Sequence, residues 1–182
     1  MLTLALLRHA KSSWDTNALD DFARPLAERG RKAAPLMGGY LAAEGLRPDL
    51  ILCSSAIRTR QTLDLVAPFL GTPRPAVAYE DGLYLASASD LIARLRVVPQ
   101  RWHTVLMIGH NPGFHDLALA LTASGDAEGI ANLRPKFPTS ALAVFTFDHI
   151  LWSRLAPHTG QLTHFATPAS LRLASSAPER TP

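Results

Sequence analysis

The chain has 182 residues, of which 47% are hydrophobic and 18% charged, and its formal net charge is +3. This composition excludes a disordered chain, and no apolar run approaches the roughly 20 residues that span a bilayer, so no membrane partner is expected. The positive charge comes almost entirely from arginines that are scattered along the chain. A nucleic-acid surface needs a continuous basic patch with aromatic partners, so nucleic-acid binding is not expected either.

The chain is long enough to bury a full hydrophobic core, and we expect a single domain over residues 1–174. The polar residues 175–182 predict a disordered tail. The only cysteine, Cys53, has no partner for an internal disulfide, and no basic segment precedes the first apolar run. These features predict a cytoplasmic protein.

The first part of the chain predicts two strand-helix units. Residues 4–7 form a short apolar run, and residues 28–44 have apolar positions at helical spacing. Because Pro35 lies in that range, the helix is expected either to begin near Ala33 or to kink. Residues 50–53 predict a second buried strand, followed by another helix.

The middle of the chain continues this alternation. Residues 76–79 predict a short strand, and a helix capped by Ser87 or Ser89 is expected to follow. Residues 105–108 predict the next strand, with a helix after it. Strands alternating with helices are typical of βαβ units around a mostly parallel sheet.

The last part of the chain is less regular. Residues 123–139 are polar and interrupted by glycine and proline, which favours a loop. Residues 141–147 predict a strand, and residues 161–166 predict a weaker one that runs antiparallel at an edge of the sheet.

Two apolar runs end in a histidine. The first run is followed by Arg8 and His9, and the run at residues 105–108 is followed by His110. Open α/β folds bind ligands at the carboxyl ends of their parallel strands, so these side chains predict a shared site. A neutral imidazole can attack phosphorus while an arginine neutralises the phosphoryl oxygens. Taken alone, His9 could instead be a strand-end histidine bonded to a neighbouring carbonyl beside a solvated arginine, and His110 could be held in the turn by Asn111 and Pro112.

A second arginine, Arg58, is expected in the first turn of the helix that follows residues 50–53. A cation there is disfavoured by the helix dipole, which suggests a functional role, although a surface ion pair is the alternative. Phosphoryl transfer depends mostly on positioning and fixed positive charge. Two arginines and two histidines supply both, so no metal or cofactor is expected.

The segments LLRHAKS, SSAIRTRQT and GHNP resemble those of the histidine phosphatase superfamily, also called the phosphoglycerate-mutase-like fold. RHAKS, PLAERG, DGLY, IGHNPG and FPTSALAVF look more closely like the SixA-type phosphohistidine phosphatase branch, in a bacterial form. The resemblance covers roughly residues 2–147, and the ordered set of motifs is far more specific than any one of them. It implies a three-layer αβα sandwich with a mostly parallel sheet, and a covalent phosphohistidine intermediate.

Carried over by position, the resemblance assigns the nucleophile to His9. Arg8 and Arg58 match the arginines that clamp the phosphate, and His110 matches the second histidine of the pocket. Related enzymes place a carboxylic acid three residues before a tyrosine, and Asp81 has that position here. Its neighbour Glu80 remains an alternative proton donor, and an ordinary acidic turn remains a third possibility.

Lys11 and Ser12 follow the first histidine closely, and their ammonium and hydroxyl donors could extend the anion pocket. Lys11 is equally compatible with a solvated position. Trp14 is a candidate for the mouth of the pocket, with packing as its alternative.

The sequence therefore predicts a metal-independent phosphatase whose substrate is a phosphohistidine on a protein. An imidazole leaving group is readily protonated and makes little demand on a strong acid. The alternatives are a phosphatase of small phosphoesters and a non-catalytic module that binds phosphate. The sequence carries no signal for an oligomeric state.

Overall fold

The computed structural model describes residues 1–14 and 20–176. The helices and strands alternate along most of the chain, as the sequence predicts. In chain order they are β1 (Leu2–Arg8), α1 (Glu28–Ala43), β2 (Leu50–Ser54), α2 (Ile57–Val66), β3 (Ala76–Glu80), α3 (Ala88–Arg96), β4 (Thr104–Gly109), α4 (Gly113–Leu121), β5 (Thr122–Gly125), α5 (Ala127–Leu133), β6 (Leu142–Phe147), β7 (Gly160–Ala166) and α6 (Pro168–Ser176).

The strands form one sheet in the order β3-β2-β4-β1-β6-β7-β5. β3, β2, β4 and β1 pair in parallel, β6 pairs antiparallel with both β1 and β7, and β5 pairs in parallel with β7. In the described part of the chain only β6 therefore runs against the others, which confirms the prediction of a mostly parallel sheet.

Alternating side chains of the strands fill two cores, one on each face of the sheet. In β1, Leu4 and Leu6 lie in the core that contains Phe114 of α4. Their neighbour Leu7 lies in the opposite core with Met37 of α1. Because successive residues of a strand point to opposite faces, a sheet covered by helices on both sides needs such a continuous apolar run. The observed architecture is the expected three-layer αβα sandwich.

Two local predictions are confirmed. α1 runs without interruption over Glu28–Ala43 with Pro35 inside it, so the helix has the predicted extent and does not begin late. Ser87 is the residue that caps α3: its hydroxyl accepts from the Asp90 N–H, and the Asp90 carboxylate accepts from the Ser87 N–H. This reciprocal arrangement is a capping box.

Two other predictions are wrong. The segment 123–139 is not a loop throughout, because it holds most of β5 and all of α5, whose first turn is capped by Asp126. β7 is antiparallel to β6 as predicted, but it is not at the edge, since β5 pairs with its outer side. β5 is short and largely exposed, so it lacks the apolar pattern from which a strand is predicted.

The predicted tail begins inside the last helix, since α6 ends at Ser176. The remainder, residues 177–182, lies outside the described residues.

Candidate active site

The carboxyl ends of β1, β4 and β2 meet at one edge of the sheet. Arg8 pairs with Gly109 at the end of β1 and β4, and Cys53 pairs with Ile108 at the end of β2 and β4. The residues that follow these pairs therefore lie side by side. The sequence prediction that the two histidine-bearing strand ends converge is confirmed, with the ring centroids of His9 and His110 5.2 Å apart.

His9 is held in one orientation and one tautomer. Its Nδ1 lies 2.8 Å from the Ala10 carbonyl oxygen. A carbonyl can only accept, so in the neutral ring Nδ1 carries the proton and Nε2 keeps its lone pair. The pKa of His9 is lowered to about 3, mainly by burial and further by the nearby His110, Arg58 and Arg8, against the opposing effect of the Ala10 carbonyl. The ring is therefore neutral at physiological pH and can act as a nucleophile through Nε2.

His110 is also buried and neutral. Its Nε2 lies 2.8 Å from the Ser54 hydroxyl, which leaves Nδ1 as the ring nitrogen without a partner among the described residues. Burial lowers the pKa of His110 to about 3, with the positive charge of Arg58 as the next cause. The ring of Tyr84 packs edge-on against it at a centroid distance of 5.2 Å.

The two predicted arginines both line the same cavity as His9 and His110. Arg8 donates from Nη1 to the Phe137 carbonyl at 2.8 Å. Arg58, only 2% exposed, donates to the backbone oxygen and the side chain of Asp21 at 2.5 and 3.0 Å. The Nε atoms of both arginines are buried and have no partner among the described residues.

Two further charged residues of this cavity, Arg24 and Asp21, were not found by sequence reasoning. Arg24 is buried, forms an ion pair with Asp21 at 2.8 Å, and stacks its guanidinium 3.6 Å above the centre of the Trp14 ring. Asp21 accepts a hydrogen bond from the Tyr84 hydroxyl at 2.5 Å. That bond, together with the charges of Arg58 and Arg24, lowers the pKa of the Asp21 carboxyl against the opposing effect of burial.

The structure does not bring Asp81 or Glu80 to the cavity, whose described lining includes neither. Asp81 is exposed in a short 3₁₀ turn after β3. Both carboxylate oxygens of Glu80 accept from Arg94 at 2.7 Å. The tyrosine three residues after Asp81, Tyr84, does contact site residues, with its ring against His110 and its hydroxyl on Asp21.

Of the other predicted residues, Lys11, Ser12 and Trp14 all line the cavity. Ser12 is buried, whereas Lys11 is exposed and Trp14 is 67% exposed. Trp14 thus lies at the mouth, as the sequence suggested. The cavity has a volume of about 360 Å³.

The RTRQT part of the second motif positions the chain around His9. The Thr62 hydroxyl accepts from the Ala10 N–H at 3.0 Å and donates to the Arg58 carbonyl at 2.6 Å. The Gln61 side chain accepts from the Leu26 N–H at 2.8 Å. These bonds join the segment after β1 to the first turns of α2. The motif therefore contains residues that hold the loops around His9 in place, in addition to Arg58.

Glycines and a serine explain three of the remaining motifs. A Cβ on Gly30 of PLAERG would lie 2.2 Å from the Lys11 carbonyl oxygen, so only glycine allows α1 to pack against the segment after His9. A Cβ on Gly113 of IGHNPG would lie 1.9 Å from the Ala86 carbonyl oxygen. In FPTSALAVF, the Ser140 N–H donates to the carbonyls that end β1, those of Arg8 and His9, at 3.2 and 3.1 Å.

The arrangement is suited to a phosphoryl group. Guanidinium groups of three arginines around one cavity carry buried N–H donors without partners among the described residues, and His110, whose Nδ1 is also unpaired, lines the same cavity. A polyanion would supply acceptors for these guanidinium donors. A neutral, oriented imidazole lies beside them. Within residues 1–14 and 20–176, no three His, Cys, Asp or Glu side chains cluster as a metal site would require.

The chain belongs to the histidine phosphatase superfamily, whose branch 1 model matches residues 4–83. An uncharacterised protein of Mycobacterium tuberculosis is 38% identical over 165 residues, which cover 89% of this chain and 99% of that protein.

Among its structural neighbours is the SixA protein of Agrobacterium tumefaciens, with a TM-score of 0.76, 30% identity, and coverage of 92% of this chain and 98% of that one. The phosphohistidine phosphatase SixA of Escherichia coli is 28% identical over 144 residues, 79% of this chain and 84% of that protein. Fold and family thus place the chain among phosphatases. No helix in the described ranges has the length and apolar character of a membrane span.

Proposed function

We propose that this protein is a phosphohistidine phosphatase that works through a covalent phospho-His9 intermediate and needs no metal. The observation that carries the proposal is the fixed His9 ring: Nδ1 donates to the Ala10 carbonyl, and the neutral ring lines the same cavity as Arg8 and Arg58. A module that only bound phosphate would gain nothing from a nucleophile held in this tautomer.

The proposed reaction has two transfers. His9 Nε2 forms a bond to phosphorus as the bond between phosphorus and the substrate's imidazole nitrogen breaks. The phosphorylated imidazole of the substrate reacts in the form that is protonated on its other nitrogen, so the ring takes up the electrons of the broken bond and departs as a neutral imidazole. Water then attacks phospho-His9, inorganic phosphate is released, and Nε2 regains its lone pair. Arg8, Arg58 and His110 stabilise the charge on the equatorial oxygens in both steps.

The charge state of the cavity supports an imidazole leaving group. Asp21 is the one carboxylate among the described lining residues, and its lowered pKa keeps it ionised at neutral pH. A phosphoester's alkoxide needs a proton from a general acid, whereas a neutral imidazole does not. The similarity to SixA of Escherichia coli, a phosphohistidine phosphatase by name, also supports this substrate class.

The cytoplasmic setting is part of the proposal. Cys53 is fully buried, and burial raises the pKa of its thiol to about 12, so the thiol is unreactive. As the only cysteine of the sequence it forms no internal disulfide, which is compatible with a reducing compartment.

The decisive experiment is to incubate the protein with a ³²P-phosphohistidine protein, quench within one turnover, and map the label. We expect an acid-labile, base-stable label on His9, and none in His9→Ala. His103→Ala is the matched control, because His103 is exposed at the amino end of β4, and it should keep the label.

Three results would contradict the proposal. The first is turnover by His9→Ala, which would place the nucleophile elsewhere. The second is loss of activity on chelation. The third is a higher kcat/KM for simple aryl phosphates than for phosphohistidine peptides, which would favour small phosphoesters.

A further inference from the structure

A second cleft lies beside the catalytic cavity and is lined by four cationic side chains. These are Lys11, Arg29, Lys136 and Arg172, around a volume of about 260 Å³. Among its described lining residues there is no aspartate or glutamate. Cations that outnumber the acidic side chains of a cleft create a positive potential that attracts anionic groups.

The hydroxyl of Ser140 is a buried polar group of this cleft. Its side chain lines the cleft, is 1% exposed, and its hydroxyl has no hydrogen-bond partner among the described residues. Buried hydroxyls are normally paired, so a ligand atom is the expected partner. The Ser140 backbone is bonded to the carbonyl of His9, and the cleft is thus built onto the catalytic loop.

The cleft is the middle part of a longer groove. It shares Lys11 and Thr139 with the catalytic cavity. At its other end it shares Lys136 and Thr167 with a third cleft, which is also lined by Glu128 and reaches Leu173, a side chain that is 72% exposed. Within this longer groove we call the second and third clefts the basic groove, because their cations outnumber the one carboxylate among their described lining residues.

We propose that the basic groove docks an acidic segment of a protein substrate while the phosphorylated side chain of that protein enters the catalytic cavity. This proposal rests on the proposed function, because it assumes that the substrate is a protein. Arg29, Lys136 and Arg172 are exposed, and cations on flexible stems at an open surface suit carboxylates that a polypeptide carries. A pocket for a small bisphosphate is expected to enclose that ligand with hydrogen-bond donors on several sides, unlike this open surface.

The test uses two synthetic phosphohistidine peptides of equal length, one with Asp and Glu around the phosphorylated residue and one with Ser and Gln. They are compared in the wild type and in Arg29→Glu/Lys136→Glu. Neither of these residues lines the catalytic cavity. The matched control is Arg74→Glu/Arg101→Glu, because these exposed arginines precede β3 and β4 at the opposite edge of the sheet and change the net charge equally.

For the groove variant we expect kcat/KM on the acidic peptide to fall by about tenfold or more, mainly through KM, and the effect to shrink as salt is raised. On the neutral peptide and on an aryl phosphate the change should stay within about twofold. The control variant should resemble the wild type. Equal losses for both peptides, or equal losses in both double variants, would overturn the proposal.

A binding measurement separates this proposal from the function on which it rests. Fluorescence anisotropy with the unphosphorylated acidic peptide needs no catalysis, and the affinity should fall in the groove variant alone. If the wild type cleaves no phosphohistidine but still binds this peptide through Arg29 and Lys136, the docking surface stands and the proposed function fails. If phosphohistidine is cleaved and the peptide binds equally to all three proteins, the docking surface fails.

Discussion

The Ser54 hydroxyl offers a test of how the site is held together. It is fully buried and is the only described partner of His110 Nε2, at 2.8 Å. Ser54→Ala removes the hydroxyl without adding bulk and leaves that nitrogen buried and unpaired. An unsatisfied buried polar group costs about 1–3 kcal/mol, so the free energy of unfolding should fall by that amount.

The same substitution frees the His110 ring to turn. Partners that orient a functional imidazole in metal sites are worth about 10–100-fold, and we expect a loss in kcat near the lower end of that range, with KM little changed. Single-turnover measurement of phosphoenzyme formation isolates the affected step. Ser55→Ala is the control, since Ser55 is adjacent but only partly buried. If Ser54→Ala and Ser55→Ala form phosphoenzyme at the same rate, Ser54 does not position His110.

Three other predictions concern stability and the role of Asp81. His9 and His110 have folded pKa values of about 3, below the unfolded value of 6.5, so the unfolded state binds more protons between these limits and acid destabilises the fold. The titration of each histidine should remove about 2 kcal/mol of unfolding free energy between pH 7 and pH 5, measured by urea titration in phosphate-free buffer; a flat profile would show that the two folded pKa values are not lowered. Thr62→Val leaves the Ala10 N–H without its acceptor, and calorimetry should reveal a loss of about 1–3 kcal/mol. Asp81→Asn should change kcat/KM on phosphohistidine by less than about twofold, because Asp81 is exposed outside the cavity; a larger loss would restore it as the proton donor.

Much of the site was predictable because it is built from strand ends. Apolar runs locate strands, parallel strands place their carboxyl ends together, and His9, His110 and Arg58 each follow such a run closely. The order of the motifs along the chain then made the resemblance to the histidine phosphatase superfamily specific. The positions of these residues in space could be predicted because each one closely follows a strand of the parallel sheet.

Asp21 and Arg24 could not be found in this way. They lie in a polar segment of 3₁₀ turn and coil after β1, where no periodicity fixes a direction for a side chain. Their role depends on tertiary contacts with Arg58 and Tyr84, which come from distant parts of the chain. The carboxylate pattern near Tyr84 pointed to Asp81, whereas the folded chain satisfies the tyrosine with a carboxylate from another loop.

The arginines that line the catalytic cavity have a consequence for the stability of the protein. Arg8 and Arg58 repel one another enough to contribute to a lowered pKa of Arg8, after the larger effect of burial. An anion relieves this repulsion only in the native state, so binding and folding are thermodynamically linked. Inorganic phosphate, the product, should therefore raise the melting temperature and also compete with substrate. The phosphate concentration would then affect both the stability of the folded enzyme and its rate of turnover.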